Sequence, residues 1–171
     1  MIYLVYTLTL ILLFSVQTTF LEIFFLGGVA PDLILIAAVY CGISFKKNSG
    51  IWLAVLIGFV QDCLSGGLLG VNSLSKGLAG LFFYTLKDKI IMQGILPISF
   101  FMFAASLADG LIYFLAMTSL LEGQVEGSFL FSSIILFSVY NAIVAPFLFY
   151  VFDKGRQWTH RKFPIQTIES I

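Results

Sequence analysis

Charge is what this sequence has least of. Only 11% of its 171 residues are Asp, Glu, Lys or Arg, nine of each sign, where a soluble domain carries about a quarter. With 60% of the residues apolar, that scarcity excludes a water-soluble fold and points to an integral membrane protein. Histidine occurs once, as His160 beside Trp158 and basic residues, a setting that fits an interfacial anchor rather than a metal site or nucleic-acid binding. The two cysteines, Cys41 and Cys63, lie in apolar runs and read as small buried hydrophobes. The sequence also has no phosphate-binding glycine loop, no metal-ligand spacing and no nucleophile with its base, so neither catalysis nor a cofactor is expected. It lacks a basic stretch ahead of its first apolar run and a small-residue cleavage site after it, so that run is expected to be retained as a span.

What is present is a series of apolar runs of roughly membrane-spanning length. The runs predict an all-α integral membrane bundle of about six helices in a single domain over 1–171, with spans near 2–21, 33–45, 51–69, 73–86, 91–117 and 129–152 and a short tail over 153–171. Gly27, Gly28 and Pro31 break the chain after the first span, and Asp32 stands where it can cap the second. At 1.5 Å per residue the second run reaches only ~20 Å, so it crosses obliquely with help from its flanks or is re-entrant. Six spans put Lys46, Lys47, Lys87, Lys89, Lys154, Arg156, Arg161 and Lys162 on one side, against Glu22, Asp32, Glu122 and Glu126 on the other. The positive-inside rule then places both termini in the cytoplasm.

The stretch from Gly58 to Gly80 organises the rest. It holds six glycines, Gly58, Gly66, Gly67, Gly70, Gly77 and Gly80, and glycine lets helix backbones approach closely where lipid removes the hydrophobic driving force. It also carries Asp62, Asn72 and Lys76. Counted from the cytoplasmic ends, Asp62 lies ~18 Å in, Lys76 and Asn141 ~16 Å, and Asp109 ~18–27 Å. Ionised groups at that depth cost at least ~2.5–3.5 kcal/mol and face partners inside the bundle. Lys76 is the expected counter-ion of Asp62 or Asp109, and the remaining acid is then protonated or bonded to Asn141, Tyr113 or Tyr140. Such a centre reads either as an internal ion pair fixing helix register or as a solute, proton or partner-sensing site. The glycines read either as packing within the chain or as a docking face for another span.

The residues Pro31-Asp32-Leu33, Gly58-Phe59, Gln61-Asp62 and Leu69-Gly70-Val71-Asn72-Ser73-Leu74 resemble the rod shape-determining MreD family in order and spacing. Ala54 stands where that family tends to have another glycine, and as a small residue it preserves close packing. The resemblance implies a non-enzymatic component of the bacterial cell-elongation machinery in the plasma membrane. Such a component works with the bitopic protein MreC and links MreB filaments to peptidoglycan synthesis by RodA and a class B penicillin-binding protein. It also implies a six-helix fold similar to the S components of energy-coupling-factor transporters. Two readings follow. One is a scaffold that positions a partner's span, with Asp32, the Gly66 to Asn72 turn and the small-residue faces as contact points. The other is a solute-binding S component or small carrier, with Asp62, Lys76, Asp109 and Asn141 lining a cavity. The first span has no Ala-x-x-x-Ala pattern of the kind by which S components dock, which weighs against the second.

Overall fold

The computed structural model describes residues 2–19, 29–45, 48–66, 69–89, 94–120 and 127–162. They form six helices, α1 (Ile2–Thr19), α2 (Leu33–Ser44), α3 (Ser49–Ser65), α4 (Val71–Leu86), α5 (Ile95–Leu120) and α6 (Gly127–Lys162). Two stretches, Ile95–Ala116 and Ser132–Thr159, are long and apolar enough by length and composition to cross a membrane. Large apolar side chains on their outer faces, among them Leu96, Phe100, Ile143 and Phe147, are exposed. A surface this apolar is suited to lipid.

The shortest helix is the hub. Every residue of α2 from Leu33 to Tyr40 is buried, so it has no polar face and no exposed one. One side of it, Leu35, Ile36, Val39 and Tyr40, packs against Phe83 of α4, Met102 of α5, and Ala145 and Phe149 of α6. The other side, Leu33, Ile34 and Ala37, packs against Leu13 of α1 and Ile57 of α3. A helix wrapped by protein on all sides need not match the hydrocarbon thickness, because its ends meet side chains rather than lipid. Asp32 Oδ1 accepts from the N–H groups of Ile34 and Leu35 at 2.9 Å each, realising the expected cap. At the other end Arg156 donates to the Ser44 carbonyl at 3.1 Å and Lys87 to the Phe45 carbonyl at 2.9 Å. An anion at the N-terminus and cations at the C-terminus both suit the helix dipole. These contacts also gather the C-terminal ends of α2, α4 and α6 at one end of the bundle.

Helix limits differ from the span limits read in the sequence, for local reasons. The third helix stops at Ser65 rather than continuing to Leu69, because Gly66 turns left-handed with φ +63°. The fourth begins at Val71, two residues earlier than expected, directly after Gly70 at φ +97°. The fifth begins at Ile95 instead of position 91. Gly94, at φ +104°, precedes it, and Pro97 falls in its first turn, where a missing N–H breaks no intrahelical bond. The sixth runs unbroken through Pro146 to Lys162, so most of the expected tail is helix. Glu22, Lys46, Lys47, Glu122 and Glu126 lie outside the described residues.

Small residues set the closest crossings. A Cβ added at Gly42 would lie 2.5 Å from the Gly80 carbonyl oxygen, and one added at Gly80 would lie 2.6 Å from Ala54 Cβ. Helices α2, α3 and α4 therefore meet almost backbone to backbone, and Ala54 sits inside that contact. Gly58 is pressed equally hard against the Asn72 carbonyl, at 2.5 Å. Gly42→Ala should lower stability by about 1–3 kcal/mol through overpacking. Gly155→Ala, with open space around it, should be neutral or slightly stabilising. Thermal unfolding of the purified variants in detergent checks both.

Candidate functional site

Lys76 is 1% exposed, and its ammonium makes three contacts. Asp32 Oδ2 lies at 2.9 Å, Asp109 Oδ1 at 3.1 Å and Asn72 Oδ1 at 2.8 Å. Ser75, one residue before the lysine, donates its hydroxyl to the same Asp109 oxygen. The spacing of Asn72, Ser75 and Lys76 puts all three on one face of α4, which is how a single helix gathers the ammonium and two of the groups around it.

A second layer holds the acids in place. The Asp32 backbone N–H donates to Asn141 Oδ1 at 2.8 Å, and Asn141 Nδ2 donates to Ser106 Oγ at 2.9 Å. Ser106 and Asp109 are three residues apart on α5 and share a face. Gln17 of α1 brackets the start of α2, accepting from Leu33 N at 2.9 Å and donating to the Pro31 carbonyl at 3.3 Å. Gln61 Nε2 of α3 donates to Asp32 Oδ2 at 3.4 Å, while its Oε1 is buried with no hydrogen-bond partner among the described residues. Every one of the six helices thus sends at least one polar side chain, or its cap, to this centre.

Asp62 belongs to a different device. Its carboxylate, 1% exposed, accepts three backbone N–H groups, from Gly70 at 3.0 Å, Asn72 at 3.0 Å and Ser73 at 2.9 Å. It caps α4 from the neighbouring helix, supplying an anion to donors that a helix N-terminus leaves unpaired. Of the two counter-ions expected for Lys76, Asp109 is in contact and Asp62 is not. The reason is direction rather than depth: the short α3–α4 connection brings the start of α4 over the Asp62 carboxylate, where backbone donors take it.

The remaining residues singled out in the sequence divide in the same way. Asp32, expected in an outer loop, is 7% exposed and is the second acid on Lys76. Asn141 is fully buried but serves the Asp32 backbone rather than an acid's side chain. Tyr113 is 42% exposed, turned away from the centre. Gly58 lies in the α3–α4 contact, whereas Gly66 and Gly70 have open space around them. Gly67 lies outside the described residues. Gln17, Gln61, Ser75 and Ser106 are not among the site residues read from the sequence; for Gln61, Ser75 and Ser106 the available signal is a small or amide polar residue within one turn of Asp62, Lys76 or Asp109, whereas Gln17 has no charge within one turn of it.

Chemically the centre is a clamp: one ammonium between two carboxylates, with hydroxyl and amide groups filling the remaining positions. The charged groups of the centre are engaged with one another and with their neighbours. A match to the family model described as rod shape-determining protein MreD covers residues 1–154. No curated protein and no solved structure matches the chain.

Removing one partner of a buried ion pair typically costs about 3–5 kcal/mol, because it strands the other charge. Lys76→Met should therefore destabilise the protein by about that much. Asp109→Asn added to it should recover part of the loss, while Asp62→Asn added to it should give simple additivity. A double-mutant cycle on thermal or denaturant unfolding in detergent distinguishes the two, and coupling to Asp62 as strong as to Asp109 would contradict the geometry.

Proposed function

The chain belongs to the rod shape-determining MreD family, a family of shape-determining membrane proteins, and from that premise we propose that it acts as a non-enzymatic membrane scaffold of the bacterial cell-elongation complex. In this reading it lies in the plasma membrane as a six-span bundle like the S components of energy-coupling-factor transporters, with both termini in the cytoplasm. It binds a bitopic MreC-like protein, and through it helps connect MreB filaments with RodA and a class B penicillin-binding protein.

One observation carries the scaffold reading over transport: the intramembrane charges are satisfied by the chain itself. Lys76 is held by Asp32, Asp109 and Asn72, and Asp62 by three backbone N–H groups. A carrier needs such groups free to exchange protein contacts for solute contacts. Here the charges join α2, α3, α4 and α5, and the amides of Gln17 and Asn141 tie α1 and α6 to the start of α2, which suits a rigid body whose outer faces meet other spans. The α3–α4 turn is the contact point we assign, because Gly66 and Gly70 leave it open and Leu69 at its tip is 76% exposed. Exposed apolar tips of this kind gain most from being covered by a partner.

Affinity purification of the tagged chain from its native membrane in mild detergent should recover an MreC-like bitopic protein. Leu69→Gln should reduce that recovery several-fold with an unchanged melting temperature, since an exposed side chain contributes little to folding. Recovery of transporter ATPases and their coupling membrane subunit would reverse the assignment.

A further inference from the structure

The end of the bundle opposite the polar centre carries a second feature that the scaffold reading does not use. Helix α6 continues past position 152, where the last span read in the sequence ends, and Asp153, Arg156, Gln157 and Arg161 of this continuation line an open cleft of about 410 Å³. Positions 153, 156, 157 and 161 fall on one face of a helix, so the cleft runs along it. Its walls are anchored to the core. Asp153 accepts from the Tyr40 hydroxyl at 2.8 Å, and Arg156 donates through one nitrogen to the Ser44 carbonyl. A guanidinium carries five N–H donors, so a single bond to Ser44 leaves most of Arg156's capacity for an anion.

The level of the cleft is marked by aromatic and basic pairs. Lys87 lies over the Tyr84 ring at 4.2 Å, Lys154 lies 5.7 Å from the Tyr150 ring centre, and Trp158 is half exposed. Tyrosine and tryptophan beside basic residues are characteristic of the membrane–water boundary. Counting from position 152, Arg156 and Gln157 lie ~6–8 Å beyond the end of the hydrocarbon, the depth of the lipid headgroups.

We propose that this cleft binds the phosphate of an anionic phospholipid headgroup, with Arg156 and Arg161 as its charged ligands and Gln157 as a hydrogen-bond donor. Arginine suits the role because its planar fork pairs with phosphate oxygens. A lipid fits better than a soluble anion because the cleft stands at headgroup level on a helix that leaves the bilayer there. The inference rests on the membrane placement proposed above but not on any protein partner, so its test is independent of co-purification.

Native mass spectrometry of the purified full-length chain tests it, using phosphatidylglycerol and phosphatidylcholine of matched acyl chains and glycerol 3-phosphate as a soluble control. The expected result is preferential retention of phosphatidylglycerol, reduced about fivefold by Arg161→Gln at unchanged melting temperature. Lys89→Gln, a basic position at the same end but outside the cleft, should have a smaller effect. Equal retention of the two lipids, or equal losses from Arg161→Gln and Lys89→Gln, would overturn the site. Binding of glycerol 3-phosphate as tight as that of the lipid would overturn the lipid as occupant. Lipid retention unchanged by Arg161→Gln would likewise overturn the site.

Discussion

A lysine buried to 1% exposure between two carboxylates is the constraint on which the bundle depends. In an apolar bundle the ammonium has no water to fall back on, so its ligands must arrive together or the fold pays for a stranded charge. Beside Asn72 of its own helix α4, Lys76 takes Asp109 from α5 and Asp32 from the start of α2, with Asn141 of α6 holding the Asp32 backbone. A non-directional apolar core specifies how much surface is buried, whereas these bonds specify which faces meet. Greasy helices surrounded by lipid have many nearly equivalent packings, and the centre selects among them.

The same logic explains how a 12-residue helix sits at the middle of the bundle. Helix α2 is apolar on nearly every side, and the Tyr40 hydroxyl, which donates to Asp153 of α6, is the polar contact its body makes among those described. Its orientation comes from its ends, where Asp32 faces Lys76 and the last carbonyls face Arg156 and Lys87. Glycines at 42 and 80 then bring it and α4 close enough for those end contacts to form at hydrogen-bond distance. Packing and electrostatics are coupled here, because separating the backbones at Gly42 also moves both ends of α2 off their partners.

Much of this was legible in the residues. Pro31-Asp32 before an apolar run announces a capped helix, and a lysine in a glycine-rich span announces buried acids. What sequence distance did not supply was azimuth. Asp62 and Asp109 lie at comparable depths, yet only one faces Lys76, and the difference is set by a turn whose two left-handed glycines, Gly66 and Gly70, fold the start of α4 back over Asp62. Asp32 reads in the sequence as a helix cap and an outer-loop charge after the break at Gly27, Gly28 and Pro31, and its second role depends on α2 being enclosed, which no local pattern reveals. The helical spacings of Asn72, Ser75 and Lys76, and of Ser106 and Asp109, were readable as shared faces. Which faces meet was not.

The two acids on Lys76 are unequal in what else they do, and that bears on how the centre works as a structural part. Asp32 spends one oxygen on the cap of α2 and the other on the lysine, so losing the ion pair leaves it still anchored by backbone donors. Asp109 has only side-chain partners, Ser75 and Lys76, both on α4. At the α4–α5 junction the ion pair therefore adds direction to an apolar contact, in which Phe83 of α4 shares a core cluster with Met102 of α5 and meets the Phe101 ring edge to face. The ion pair thus sets the azimuth of α5 against α4, while close glycine contacts and the Asp62 cap set α2, α3 and α4 against one another, and the apolar core joins both groups.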